Sequence, residues 1–426
     1  MRIGNVDVNI TLLKGLIKAI DKIAIGMLLS MLVVPFFLIA IICRFMRKNF
    51  DVGLGPEPLI NNVYHKEALQ LFGYTAETFV INVYFITEKF DLRLDTLFKT
   101  KCKKLDKVKN LLRLLIIALI SMRRYKCLYL SFNGCAFGML GLGSEIELIR
   151  RIEPFLYKLA NVKIVVMPYG GDVQEMSRSS NLLFKHTMSV DYPTFRLRRK
   201  QIATQIDRWL QHADHVIAGC EWVDYMYYWD TLMLAHFSID TELWRPIERQ
   251  ISSGSQTPLK ILHAPNHRSI KGTQFFTEAV NDLIEEGFDL ELILLEKVPN
   301  EKIREVMASV DLVADQLIVG WYAMFAIEAM SMEKPVLCYL REDLKNLYEG
   351  VGLVDPEEIP IINCTPSTVK KTIRNILENR DQLFDIGKRS REYVSKHHSA
   401  RAIGKVFDEI NRSIGIMPCM KTKQSL

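Results

Sequence analysis

The chain has no C-x-x-C pair and no cluster of cysteine with histidine, which excludes the usual structural zinc sites. It lacks any sustained heptad or G-X-Y period, so neither a coiled coil nor a collagen-like rod is available to it. It is not poor in apolar side chains: 49% hydrophobic and 10% aromatic residues exclude an intrinsically disordered chain. Charge of one sign is nearly cancelled, since 55 basic and 49 acidic residues leave +6 on 426 residues. The cysteines (Cys43, Cys102, Cys127, Cys135, Cys220, Cys338, Cys364 and Cys419) stand mostly inside apolar segments, as small core residues of a protein kept in a reducing compartment. The length suits two domains. A mean hydropathy of +0.07 is high for a wholly soluble chain and points to some apolar surface that meets lipid.

Residues 1–49 contain that surface. Ile23 to Cys43 has no charged residue and is bracketed by Lys22 and by Arg44, Arg47 and Lys48. As a helix it would be about 30 Å long, the thickness of a hydrocarbon core. A secretory signal fits badly, because no small-residue cleavage site precedes the basic flank. Upstream, Ile10, Leu13, Leu16, Ile17 and Ile20 share one helical face. The segment is expected to enter a membrane, either as a kinked span or as a hairpin broken at Pro35.

Beyond Phe50, short apolar runs alternate with amphipathic stretches, the pattern of parallel α/β layers. Strands are expected at Asp51–Gly55, Thr78–Tyr84, Cys127–Ser131, Val162–Met167 and His215–Gly219, with helices at 61–72, 108–122, 144–160 and 198–212. A polar linker at 245–258 cannot build a core. A second series follows, with strands at Lys260–His263, Glu291–Leu295, Asp311–Ala314, Pro335–Tyr339 and Ile359–Ile362, and helices at 273–286, 301–309, 322–332 and 366–378. The fold class is therefore α/β, with two Rossmann-like doubly wound domains: 50–244 and 259–395. A closing helix occupies 396–418 and a tail 419–426. Ligands of such sheets bind at the carboxyl ends of the strands, so the crevice between the domains is the expected site.

Two segments carry chemistry. Lys260–His263 runs into A-P-N-H-R-S-I-K-G-T, where Arg268 offers a planar fork, Lys271 a point charge, and the helix after Gly272 its free amides. This is an anion cradle or a solvated basic loop; it is no Walker A or G-x-G-x-x-G motif. In G-W-Y-A-M-F-A-I-E-A-M-S-M-E-K-P-V-L-C, Gly320 to Cys338, Glu328 falls among small apolar residues. A carboxylate buried there needs a partner, and a ribose diol is a natural one; an exposed helix face is the alternative.

Together these segments resemble the donor domain of GT-B glycosyltransferases, particularly the large retaining family 4. Arg268 and Lys271-Gly272 are similar to its G-R-x-x-x-x-K-G loop, and Glu328-Ala329-Met330 with Pro335-Val336 to its E-A-M-A-x-G-x-P-V segment. In the first domain, Ala213 to Val223, Phe237 to Pro246, Met167 to Val173 and Leu54 to Asn62 resemble, in family order, its A-D-x-V-I-A-x-S, hinge-entry, H-G-x-D and first glycine-loop segments. The resemblance implies a nucleotide-sugar donor held by Arg268, Lys271, Gly272, Glu328, Tyr322 and Gly320. It places Gly55, Gly170 and Gly171 on the acceptor side. Asp172 would orient or deprotonate the acceptor hydroxyl, or else merely cap a helix. No D-x-D motif stands at a suitable strand end, so no metal and no cofactor is expected. The sequence departs from the family at Gly320, which replaces the first glutamate of a pair, at Trp321-Tyr322, at Glu333 and at Tyr169.

Between Lys99 and Lys126 stand ten basic residues and one acidic, interleaved with leucine and isoleucine. This reads as a face for anionic membrane or a lipid diphosphate, or as a packing helix with a solvated basic entry. No nucleic-acid module accompanies it. Arg196–Lys200 is a second basic cluster. The expectation is a transferase at the inner (cytoplasmic) membrane, its domains facing the cytoplasm, acting on a lipid-linked, polyprenyl-diphosphate glycan for surface polysaccharide. A nucleotide-sugar epimerase and a catalytically silent scaffold are the alternatives.

Overall fold

The computed structural model describes residues 33–84, 87–96, 106–137, 147–247, 258–355 and 357–418, together with residues 20, 23, 27 and 31. The first sheet has seven strands: β1 (Phe50–Leu54), β2 (Ala76–Val80), β3 (Leu92–Arg93), β4 (Tyr125–Leu130), β5 (Lys163–Val166), β6 (His215–Gly219) and β7 (Thr231–Met233). Their order is β3-β2-β1-β4-β5-β6-β7, and every pair is parallel. Helices α1 (33–45), α2 (Ile60–Leu71), α3 (Asp106–Arg124), α4 (Glu147–Leu159), α5 (Leu182–Asp191) and α6 (Arg199–His212) belong to this half. Covering both sheet faces makes the central strands continuously buried, which is why they read as apolar runs rather than alternating ones.

The second sheet comprises β8 (Leu259–His263), β9 (Leu290–Leu294), β10 (Leu312–Ala314), β11 (Val336–Cys338) and β12 (Ile362–Asn363), in the order β12-β11-β10-β8-β9, again all parallel. Its helices are α7 (Arg268–Lys271), α8 (Thr273–Glu285), α9 (Asn300–Ala308), α10 (Met324–Ser331), α11 (Glu342–Gly350), α12 (Val369–Glu378) and α13 (Gln382–His397). The last helix, α14 (Ala400–Ser413), crosses back to the first domain. There Ile403, Phe407 and Ile410 pack with Leu69, Tyr74 and Tyr129, and the Tyr74 hydroxyl donates to Asp408 at 2.7 Å. Most of the expected linker, residues 248–257, lies outside the described residues, as do 419–426 and most of Lys99–Asp106.

Among the described residues no helix is long and apolar enough to cross a membrane. Several residues of the apolar run 23–43 lie outside that description. The hairpin expected at Pro35 is not formed, since Met31 and residues 33–45 are helical on either side of it. Instead α1 lies against the first domain. Phe36, Ala40 and Cys43, spaced four and three apart, are buried with Leu114, Ile117 and Phe137, and the Phe36 and Phe137 rings meet edge-on at 5.6 Å. A lysine locks this arrangement: Lys48 Nζ donates to the carbonyls of Cys43 (3.1 Å), Ala160 (3.1 Å) and Met122. These carbonyls stand at the C-terminal ends of α1, α4 and α3, where the peptide dipoles concentrate negative charge. Lys48→Met is expected to cost about 1–2 kcal/mol in urea unfolding, because three helix ends lose one shared cation.

The basic segment serves the fold. Arg124 pairs with Glu77, and Lys126 with the buried carboxylate of Asp51 at 2.7 Å. Leu114, Ile117, Ala118 and Met122 of α3 enter the core. The packing-helix alternative therefore describes its closing end; its opening end lies outside the described residues.

Candidate functional site

At the carboxyl end of β8 the chain makes a single helical turn, α7, carrying Arg268 and Lys271. Gly272 follows with φ +73°, and a side chain there would meet the Cβ of Leu317 at 3.1 Å. Only glycine turns the chain so tightly into α8. His263, at the end of β8, is buried and neutral: its Nδ1 donates to the Ala314 carbonyl (2.8 Å), and its Nε2 accepts from the Thr273 hydroxyl (2.9 Å). The first turn of α8 is thereby pinned to two strands of the sheet.

Both cations of the cradle are held by acids. Arg268 forms a two-toothed pair with Glu296, Nε at 2.8 Å and Nη2 at 2.6 Å, at an exposed position. Lys271 binds Asp315 at 2.6 Å, whose carboxylate is fully buried at the end of β10. An incoming diphosphate would release Arg268 readily from a solvated partner. Lys271 serves the buried Asp315 as well.

Glu328 projects from α10 into the interior. It is 3% exposed and accepts from Asn300 Nδ2 at 2.9 Å. Burial raises its pKa to about 8. Asn300, at the start of α9, also lines a cavity of about 440 Å³ between the domains. Tyr64 and Glu67 of α2, Trp244, Lys89 and Arg304 are among its other wall residues, and the Lys89–Glu301 pair (3.0 Å) crosses from one domain to the other. The volume suits a small-molecule ligand.

Gly320 and Tyr322 stand elsewhere. Gly320 has φ +96°, and a Cβ on it would sit 2.5 Å from Arg341 Cδ. A glutamate at this position would be strained and would collide. The space belongs to Arg341, whose guanidinium pairs with Asp224 of the first domain (2.7 and 3.1 Å) and with Asp343. Nearby, Asn181 caps α5 through Phe184 N (3.0 Å) and donates across the domains to the carbonyls of Ile318 and Val319 (2.8 and 3.0 Å). Gln316 gathers the amides of Ile318, Val319 and Gly320 on one oxygen. Tyr322 is fully buried, its hydroxyl shared with Tyr393 (2.7 Å) and His398 (3.0 Å), so it has no edge left for a donor.

On the acceptor side Asp172 is fully buried. Its oxygens accept from the amides of Phe132, Tyr169 and Gly170, each at 3.0 Å, and burial lifts its pKa to about 7. It therefore ties the loop after β4 to the loop after β5. It neither faces solvent nor starts a helix, since the next one begins at Leu182. Gly170 and Gly171 form that second loop, while Gly55 lines a small cavity of about 20 Å³, room for one water. The carboxylate in this cavity is Glu57, beside Asn62, His65 and Tyr169. Glu57 accepts from Asn133 Nδ2 (2.6 Å), and burial raises its pKa. L-G-P-E-P-L carries the sequence signal for it: a carboxylate between two prolines just after a strand. Asp315, Asn300 and Arg341 carried no local pattern that marks them. Among the described residues no group of three or more His, Cys, Asp or Glu is placed to hold a metal ion.

The buried acids predict a pH dependence. Folded Asp172 and Glu221 (both raised to about 7) and Glu328 (about 8) keep protons that the unfolded chain, near 3.8–4.5, has already released. Stability from these groups is present below pH 4 and is lost as pH rises toward 8. Buried His65 and His263, lowered to about 4, and His236 and His398, lowered to about 3, act oppositely but only below their ordinary value of 6.5. Unfolding free energy is therefore expected to fall between pH 6.5 and 8, by at most about 1.4 kcal/mol per pH unit for each acid, and the melting temperature with it. In Glu328→Gln, which preserves the bond from Asn300, the fall is expected to be shallower; an unchanged slope would show that Glu328 does not titrate there.

No protein-family model matches the sequence, and no curated protein matches it significantly. Solved structures do match in shape. Sucrose-phosphate synthase from Thermosynechococcus elongatus aligns over 86% of this chain and 99% of its own, with a TM-score of 0.55 and 14% identity. Anabaena Alr3699/HepE, in complex with UDP and glucose, aligns over 86% of this chain and 100% of its own, with a TM-score of 0.53 and 13% identity. An alpha-glucosyltransferase in complex with UDP and a 13-mer DNA aligns over the same 86%, with a TM-score of 0.52 and 10% identity. With the two parallel sheets and the returning last helix, these likenesses make the fold GT-B.

Proposed function

We propose that the chain is a glycosyltransferase that moves a sugar from a nucleotide-diphospho-sugar to a lipid-linked, polyprenyl-diphosphate glycan at the cytoplasmic face of the inner membrane, in the assembly of a surface polysaccharide. The observation that carries this reading is the cradle at the carboxyl end of β8: Arg268 and Lys271 on one turn, joined through Gly272 to the amide end of α8. Transfer leaves a nucleoside diphosphate, and two cations with a helix N-terminus stabilise the charge that develops on it. Glu328, with Asn300, is assigned to the ribose hydroxyls. Glu57 is assigned to the acceptor hydroxyl, because it lines the first-domain cavity with a raised pKa. UDP, present in the HepE and alpha-glucosyltransferase structures, is the first nucleotide to try.

The test is thermal stabilisation of the purified full chain by UDP, GDP, ADP and their sugars, followed by transfer to a polyprenyl-diphosphate glycan. Selective stabilisation by one base, absent from Arg268→Ala, supports the donor site. Stabilisation by none removes the reading. Binding without transfer would instead favour the silent scaffold, a reading kept in view by Gly320, which leaves the family's first acidic position without a carboxylate.

A further inference from the structure

The outer face of α1 has no part in the cleft. Val34, Leu38, Ile42 and Phe45 recur on it every three or four residues, all exposed, with Phe45 at 81%; Met27 and Met31, helical residues ahead of α1, continue the same spacing and are exposed too, Met31 at 75%. The opposite stripe of Phe36, Ala40 and Cys43 is buried against the first domain. A helix so held cannot leave the protein to cross a bilayer without uncovering Ile117 and Phe137 and parting Cys43 from Lys48. It also cannot rest in water as a normal surface helix, because the run 23–43 contains no charged residue at all.

We propose that α1 lies in the plane of an anionic lipid bilayer, its inner stripe fixed to the protein and its outer stripe among the acyl chains. Arg44 and Arg47, both exposed at the C-terminal end of the helix, meet the phosphate headgroups. The charges favour lipid over a second copy of this chain: residues 23–47 include no acidic side chain, so a copy offers these arginines no partner from that stretch, whereas an anionic leaflet offers many. The proposal rests on the membrane association suggested above and gives it a geometry, along the surface rather than through it. It also explains why a run long enough to span has Phe36, Ala40 and Cys43, in its C-terminal half, docked on a globular domain.

The full chain is mixed with vesicles of phosphatidylcholine, with and without phosphatidylglycerol, and floated. The expected result is flotation that phosphatidylglycerol enhances and salt weakens. Met31→Glu and Leu38→Glu reduce the floating fraction about tenfold or more, with melting temperature and nucleotide stabilisation unchanged. Trypsin added outside the vesicles cuts at Lys14, Lys18 or Lys22, since an in-plane helix keeps both flanks on the side of the catalytic domains. Protection of those lysines would establish a span and overturn the proposal. So would wild-type flotation by both glutamate variants, or a chain that fails to float and forms a dimer that Leu38→Glu dissociates. Nucleotide stabilisation is read separately, so loss of flotation leaves the donor assignment standing, and loss of the donor assignment leaves this one.

Discussion

Arg268→Ala is expected to abolish stabilisation by the nucleotide diphosphate and to lower transfer about 10²–10³-fold, the usual cost of removing one preorganised donor from developing charge. Its melting temperature should not change. The side chain is 60% exposed and its partner Glu296 is solvated, so nothing buried is left unpaired. Lys271→Ala makes the informative contrast. It also removes a cation from the cradle, but it strips the fully buried Asp315 of its counter-charge, at a cost of about 3 kcal/mol. The two variants should therefore lose activity alike and differ in stability. If Arg268→Ala binds and transfers normally while folded, the turn after β8 is not the diphosphate site. If Lys271→Ala melts as the parent does, Asp315 does not depend on that lysine.

Arg341→Met is expected to destabilise by about 3–5 kcal/mol in urea or thermal unfolding. The arginine side chain is 5% exposed and Asp224 is 7% exposed, so deletion strands a buried carboxylate between the two domains. Asp224→Asn together with Arg341→Met should recover part of the loss, because the stranded charge disappears with its partner. The pair also sets the relative position of the sheets, so nucleotide affinity should weaken in Arg341→Met even though no donor contact is assigned to it. Loss of stability with unaltered affinity would show that the ion pair braces the fold without positioning the cleft.

The parallel strands were legible because burial on both faces writes itself as apolar runs such as K-I-V-V, and the order of segments gave two domains. The short elements were not. β3 has two residues and β7 three, too few for any period to register. In α5 and α11 only one pair of residues four apart is buried, Phe184 with Met188 and Leu344 with Tyr348, so their helical stripe is one contact wide. Arg268, Lys271 and Gly272 could be found because they are adjacent in the chain and differ sharply from their neighbours. Gly320 and Tyr322 were drawn toward the donor by position in a motif, yet the space at Gly320 is decided by Arg341, and the hydroxyl of Tyr322 by Tyr393 and His398. Asp172 shows the same limit: a carboxylate beside two glycines looks poised for a ligand, while its partners are the amides of Tyr169 and Gly170 in its own loop and that of Phe132, forty residues away.

The lysine at the junction of three helix ends bears on how such a protein can be handled. Trimming away the greasy leader up to Lys48 would be the habitual route to a well-behaved sample. Here that cut would uncover the side of α3 and leave the terminal carbonyls of two helices facing nothing but one another. A better-behaved chain comes from repainting the outward residues of α1 with polar ones and leaving its inward face, and the lysine, in place.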